Sequence, residues 1–103
     1  MLRSSEFRKI YDTGVRSSGP LFAAFVLARP ESEGARLGVT VPRAIGRAVE
    51  RNRIKRRLRE AFRLGRHELG SWDIVLNPRR ALLKASFEEI QQSLGKVMER
   101  VKR

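Results

Sequence analysis

Arg51-Asn52-Arg53-Ile54-Lys55-Arg56-Arg57-Leu58-Arg59-Glu60-Ala61-Phe62-Arg63 is the stretch from which the rest of this 103-residue chain can be read. It sits in a longer run, Arg43 to Arg66, where ten Arg and Lys face two Glu, so +8 of the chain's net +12 lies in 24 residues. At about 100° per residue, Ile54, Leu58, Ala61 and Phe62 fall within an arc of about 100°, a stripe able to pack on a core. Lys55, Arg59, Asn52, Arg63 and Arg56 follow round the wheel, with Arg53 and Arg57 beyond them. One side packs and the other is a cationic ridge. A solvated surface helix normally mixes signs in i,i+4 pairs, and only Glu60 interrupts this ridge. Such density repels itself unless a polyanion is at hand, which points to nucleic acid.

Working outward, Arg36-Leu37-Gly38-Val39-Thr40-Val41 alternates as a strand, with Leu37, Val39 and Val41 facing in and Arg36, Gly38 and Thr40 facing out on a low, open face. Pro42 ends it, Arg43 to Glu50 connects it to the basic helix, and the Gly65 and Gly70 region closes that helix. Trp72 to Asn77 reads as a third long strand, stopped by Pro78. Ser86-Phe87-Glu88-Glu89 is a capping box opening a last helix, whose Phe87, Ile90, Leu94, Val97, Met98 and Val101 repeat at helical spacing. Toward the N-terminus, Ser5 caps a short helix with Phe7, Ile10 and Tyr11 on one face and Gly14 at its end. Val15 to Pro20 carries turn chemistry, with Val15-Arg16 at most a short strand. Leu21 to Ala28 is a strand apolar on both faces. Either both faces are buried, or one lines a groove with Phe25 as a platform for something planar. Pro30 to Gly34 reads as a hairpin-like loop.

Length and composition set bounds on the class. One domain of this size buries roughly 65% of the surface its unfolded chain exposes, and 41% hydrophobic residues makes it globular. The absence of cysteine excludes disulfides, thiolate nucleophiles and Cys-based zinc sites, and allows an intracellular setting. The longest apolar run, Leu21 to Ala28, is far short of the ~20 residues that cross a bilayer, and no signal-peptide h-region develops after Met1. Arginine outnumbers lysine 18 to 5, a bias that suits bidentate phosphate contact and stacking on bases.

Catalytic groups are few: one histidine, His67, and two aspartates, Asp12 and Asp73. A protein nuclease needs paired carboxylates for metal ions or two acid–base groups titrating near neutrality, and neither aspartate sits in a motif. His67, close to a helix C-terminus, suits a contact with the helix dipole. Nothing resembles an active site. The ridge, Phe25 on its sheet face, and Phe7 and Tyr11 on one helix face form a stronger constellation, since phosphate tracking plus stacking holds single strands without strict sequence reading. A helix in a DNA major groove is the competing picture, but a strand precedes the basic helix where a helix-turn-helix partner belongs.

Gly46-Arg47-Ala48-Val49-Glu50-Arg51-Asn52-Arg53-Ile54-Lys55-Arg56 closely resembles the RNR signature of the protein subunit of bacterial ribonuclease P. The likeness extends to Phe7–Gly14, Arg36–Pro42 and Trp72–Val75. It implies an α/β sandwich in the order α-β-β-β-α-β-α, a single RNA-binding domain over residues 1–103 with a mostly antiparallel central sheet. Its β-α-β crossover through the basic helix is left-handed, a rare hand. It also implies a cytoplasmic ribonucleoprotein whose catalytic RNA removes the 5′ leader of precursor tRNA, with Mg²⁺ held chiefly by RNA and substrate and no catalytic or metal-binding residue in this chain. Carried over residue by residue, Arg43, Arg47, Arg51, Asn52, Arg53, Lys55, Arg56 and Arg59 contact the RNA subunit. Phe7, Tyr11, Phe25, Arg36, Gly38 and Thr40 line the leader cleft. The partners implied are the catalytic RNA and precursor tRNA, with no membrane and no small-molecule substrate. A generic basic RNA-binding protein of the ribosome-associated type and a protein-only ribonuclease are the alternatives. The chain departs from the family at Pro42-Arg43-Ala44, where a Ser-Lys-Lys type sequence is common, and at Met1-Leu2-Arg3, where a longer basic tail is usual. In a regular helix Arg51 and Arg53 point about 200° apart, so either one meets a second surface or the helix begins later.

Overall fold

In a computed structural model that describes residues 4–30 and 34–102, three helices pack on the two faces of a four-stranded sheet. The first helix, α1, spans Ser4–Thr13. It stops where the Gly14 N–H bonds to the Ile10 carbonyl at 2.8 Å. A Cβ on Gly14 would come within 2.5 Å of that oxygen and 2.8 Å of the Val26 carbonyl, both backbone, so only glycine lets the chain leave α1 this close to the sheet.

The strands are β1 (Val15–Ser18), β2 (Phe22–Ala28), β3 (Arg36–Val39) and β4 (Trp72–Pro78), in the spatial order β1-β2-β4-β3. β1 and β2 are antiparallel, as are β2 and β4, whereas β3 and β4 run parallel. Helix α2 (Ala48–Leu69) makes the parallel connection, and α3 (Phe87–Lys102) closes the fold. This is the mixed architecture that the resemblance implies.

Strand alternation divides the apolar residues between two cores. Phe22, Ala24 and Val26 of β2 and Ile74 and Leu76 of β4 bury against Ile54, Leu58 and Ala61 of α2 and Ile90, Leu94, Val97 and Met98 of α3. On the other face a smaller core pairs Ile10 of α1 with Val75 of β4, and Phe7, Tyr11, Phe25 and Leu27 pack round it half-buried. The capping box forms as the sequence predicts: Ser86 Oγ accepts the Glu89 N–H at 3.1 Å and the Glu89 carboxylate accepts the Ser86 N–H at 3.2 Å.

Several local expectations are corrected. The short strand open at Val15-Arg16 forms and extends through Ser17 and Ser18, because pairing with Ala23–Val26 satisfies backbone groups that β2 would otherwise leave bare, and this outweighs the turn-prone serines. The turn shrinks to the residues around Gly19-Pro20, with the Gly19 N–H bonded to the Phe22 carbonyl. β2 and β3 do not form a hairpin, since β4 lies between them; residues 31–33 of that loop fall outside the described residues. β3 ends at Val39, although the Thr40 N–H still bonds to the Leu76 carbonyl at 3.1 Å. Gly38, read as part of an open face, is buried. Helix α2 starts at Ala48 and runs through Gly65, so it takes in part of the supposed connector. The readings at Met1–Arg3 and of the His67 side chain also lie outside what is described.

Candidate nucleic-acid interface

The basic helix is fastened before it is charged. Leading into it, a single 3-10 turn, Arg43–Ile45, is pinned by burial of Ile45 and by Arg80, whose Nη2 donates to the Ala44 carbonyl at 2.6 Å. At the start of α2 the Glu50 carboxylate reaches back to accept the Arg47 N–H at 3.0 Å, which also places a negative group at the positive end of the helix dipole. A Cβ at Gly46 would stand 2.8 Å from that carboxylate, so glycine here keeps room for the cap.

With Ile54, Leu58 and Ala61 turned inward, the cations of α2 sort by angle. Arg51, Lys55 and Arg59 recur every four residues and form one row about 12 Å long on a flank of the helix. Arg51 and Lys55 are half-buried, while Arg59, Asn52 and Arg56 are exposed at the crest. Arg53 is exposed on the opposite flank, and Arg43 and Arg47 are exposed just before the helix. Since α2 begins at Ala48, Arg51 and Arg53 both lie in regular helix and present to two different surfaces. Among the described residues, Arg43, Arg51, Arg53, Lys55, Arg56 and Arg59 have no side-chain hydrogen bond or ion pair. Arg57 differs: it donates to the Leu82 and Ala85 carbonyls at 3.3 and 2.5 Å, tying α2 to the turn before α3. Arg63 pairs with Glu60, whose carboxyl is lowered below its ordinary range by the hydrogen bond from that guanidinium.

On the other face of the sheet, beside α1, lies a group of half-buried rings, a surface called the trough below. Tyr11 meets Phe25 edge-on, with ring centroids 4.7 Å apart and planes at 82°. The Arg16 guanidinium carbon lies 6.0 Å from the Phe25 centroid. The Tyr11 hydroxyl donates to Asn77 Oδ1 at 3.0 Å, which leaves the amide nitrogen of Asn77 as a donor. Phe7, Tyr11 and Phe25 are half-buried around this feature and Thr40 is exposed.

Arg36, expected to line the trough, is already engaged within the protein. Its Nε and Nη2 fork onto the two Asp73 carboxylate oxygens at 2.8 and 2.9 Å, and Nη2 is also 2.9 Å from Glu6 Oε2 on α1. The hydrogen bond that Arg36 donates to Asp73 is the largest influence raising the Arg36 pKa further above its ordinary value, so the side chain stays cationic. Asp73 is buried and also receives Arg29 Nε at 3.3 Å. Two guanidiniums around one buried carboxylate supply the compensation that an ion out of water requires, and the chain of charges fastens α1 to the sheet.

Residues 1–102 match the sequence model of the family described as Ribonuclease P. The chain belongs to the ribonuclease P protein family. The ribonuclease P protein component of Desulfosudis oleivorans is 36% identical over 104 residues, which cover 100% of this chain and 85% of that relative. The RNase P protein of Thermotoga maritima, solved with a fluorophenyl thiourea, superposes with a TM-score of 0.87 at 28% identity over 98% of this chain and 99% of that one. That of Staphylococcus aureus gives 0.84 at 29% identity over 99% and 94%. The family provides the non-catalytic protein subunit of an endoribonuclease holoenzyme that matures tRNA 5′ ends, and membership implies an RNA partner.

Ribonuclease P is magnesium-dependent as a family, and the described side chains do not form a cluster fitted to hold magnesium. Among the described residues no three His, Cys, Asp or Glu converge on a point. Asp73 and Glu6 are committed to guanidiniums. Nor is any described helix long and apolar enough to cross a membrane. Sequence reasoning missed Arg16 and Asn77. Asn77 was visible as a polar residue ending an apolar strand, but its partner Tyr11 is 66 residues away. Arg16 stood in the short strand open at Val15-Arg16, where nothing local pointed to the Phe25 ring beside it.

Proposed function

We propose that this chain is a single RNA-binding domain that uses its two sheet faces for two RNA segments within ribonuclease P. The α2 side, with Arg43, Arg47, Arg51, Asn52, Arg53, Lys55, Arg56 and Arg59, grips the catalytic RNA subunit. The α1 side, with Phe7, Tyr11, Phe25, Arg36, Gly38 and Thr40 and now Arg16 and Asn77, takes the 5′ leader of precursor tRNA. Arg36 and Gly38 act there as supports, one clasping α1 and the other letting it lie close. Magnesium belongs with the RNA and substrate on this reading, and the particle is cytoplasmic.

The observation that carries the reading is the pairing of Tyr11 with Phe25 in a half-buried trough. Rings in such a place lose little water on stacking and are worth roughly 1–3 kcal/mol per base. The test is binding by the reconstituted holoenzyme of Phe25→Ala combined with Tyr11→Ala. Precursor with a leader should bind about tenfold or more weakly while mature tRNA binds as before. Equal losses on both would make the protein a generic basic binder. Removal of the leader by the purified chain with magnesium and no RNA subunit would make it a protein-only nuclease.

A further inference from the structure

Beyond the ridge and the trough, one cationic feature is unused. A cavity of about 130 Å³ opens between the β1–β2 turn and the C-terminal half of α3, with Pro20, Leu21 and Val97 as its apolar wall and Lys96 and Arg100 at its rim. Ser93, Lys96, Val97 and Arg100 recur at i, i+3, i+4 and i+7, so one helix face presents both cations to the opening. Arg100 Nη1 donates to the Ser18 carbonyl at 3.1 Å, and Arg79 Nε donates to the Gly19 carbonyl at 3.0 Å from the other side of the turn. These guanidiniums are held by neutral carbonyls, so their orientation is fixed while their charge is not cancelled. Lys96 makes no side-chain bond among the described residues. Glu99 follows Lys96 on α3 but lies about 60° further round the helix.

The position of this feature follows from the sheet register. Asn77 is opposite Ala23, and Ala23 is opposite Ser18, so the three share the trough face in one row about 10 Å wide. Ser18 is also the residue whose carbonyl holds Arg100. A strand that leaves the trough along this row reaches the edge of β1, and only the Gly19-Pro20 turn separates it from the α3 groove. The cavity is too small for a metabolite, since such sites typically exceed about 300 Å³. It suits one flat ring on an apolar wall with phosphates at the rim.

We infer that the groove formed by Pro20, Val97, Lys96 and Arg100 is an outlying site for single-stranded RNA, receiving leader nucleotides beyond those held in the trough. This rests on the trough reading under the proposed function. It makes the advantage of a long leader over a short one a property of α3, separate from the rings of α1 and β2.

The experiment measures precursor tRNA binding by the reconstituted holoenzyme, with a leader that ends within the trough and with one several nucleotides longer. Two phosphates neutralised on a single strand give a slope near −0.7 each, so in the wild type the long-leader advantage should shrink about sevenfold between 50 and 200 mM salt. Lys96→Ala with Arg100→Ala should abolish that advantage and leave short-leader binding unchanged. Lys96→Ala alone, which breaks no contact within the protein, should remove about half of it on a logarithmic scale, and thermal melts confirm that each variant is folded. Equal loss on both leaders would place the groove against the RNA subunit or the tRNA body, and an intact advantage would show that it holds nothing; either overturns the inference. Phe25→Ala with Tyr11→Ala weakens both leaders if the trough reading is right, so failure there is seen separately.

Discussion

The outward ridge of α2 and the trough under α1, the two surfaces proposed above to meet RNA, are stabilised in opposite ways. Along the ridge, Arg51, Lys55, Arg59 and Arg56 have no partners among the described residues. Their mutual repulsion is relieved only by a ligand, so contact there scales with salt and tolerates the loss of any one charge. In the trough the groups that shape the surface are already engaged: Tyr11 by Asn77, and Arg36 by Asp73 and Glu6. Such a surface is pre-shaped, so a single substitution alters its form. Identical side chains thus serve different ends. Arg36 and Arg57 hold the fold together, whereas on the proposed reading Arg51 and Arg59 are kept for phosphate.

The largest effect that would test this contrast is Asp73→Asn. It leaves Arg29 and Arg36 without their carboxylate and releases the clasp on α1, and should cost roughly 3 kcal/mol in urea denaturation; a loss within measurement error would mean the trough is not held by this network. Next, replacing Arg51, Lys55 and Arg59 together by Ala should leave the melting curve almost unmoved while lowering the salt slope for the RNA subunit by about 2 to 3. An unchanged slope would detach this row from the RNA. Smaller is Tyr11→Phe, which keeps the ring and removes only the bond to Asn77; about 1 kcal/mol should be lost in leader binding or stability, with no change in salt dependence.

Least of all is Glu60→Gln, read through its pH dependence. The carboxyl of Glu60 is lowered in the folded state by Arg63, so the pair contributes above the ordinary carboxylate pKa and is lost as pH falls through the lowered value. Being an exposed pair, it should shift acid unfolding barely at all, while freeing Arg63 slightly strengthens RNA binding. A marked change in the acid limb would mean that the ridge, too, is part of the scaffold.

How much of this the sequence disclosed depends on how far apart the partners lie. The inward stripe of Ile54, Leu58 and Ala61 and the Ser86–Glu89 cap are local patterns with fixed spacing, and both stand as read. Turn composition concealed the full length of β1, because its extended form depends on pairing with β2. Asp73 looked motif-free because its partners Arg29 and Arg36 come from other segments. The helical wheel put Arg57 at the far end of the cationic arc but could not show the Leu82 and Ala85 carbonyls waiting for it.

Trp72 is the chain's sole tryptophan, and its place in β4 puts it on the side of the sheet shared with Ile74 and Leu76, packed against the larger core. Its fluorescence is therefore a reporter of whether that interior is intact and is optically blind to what occupies the opposite side. Excited selectively over Tyr11, this indole separates folding from ligand capture: a titration that leaves its spectrum still while a labelled leader changes anisotropy has watched a rigid platform being loaded.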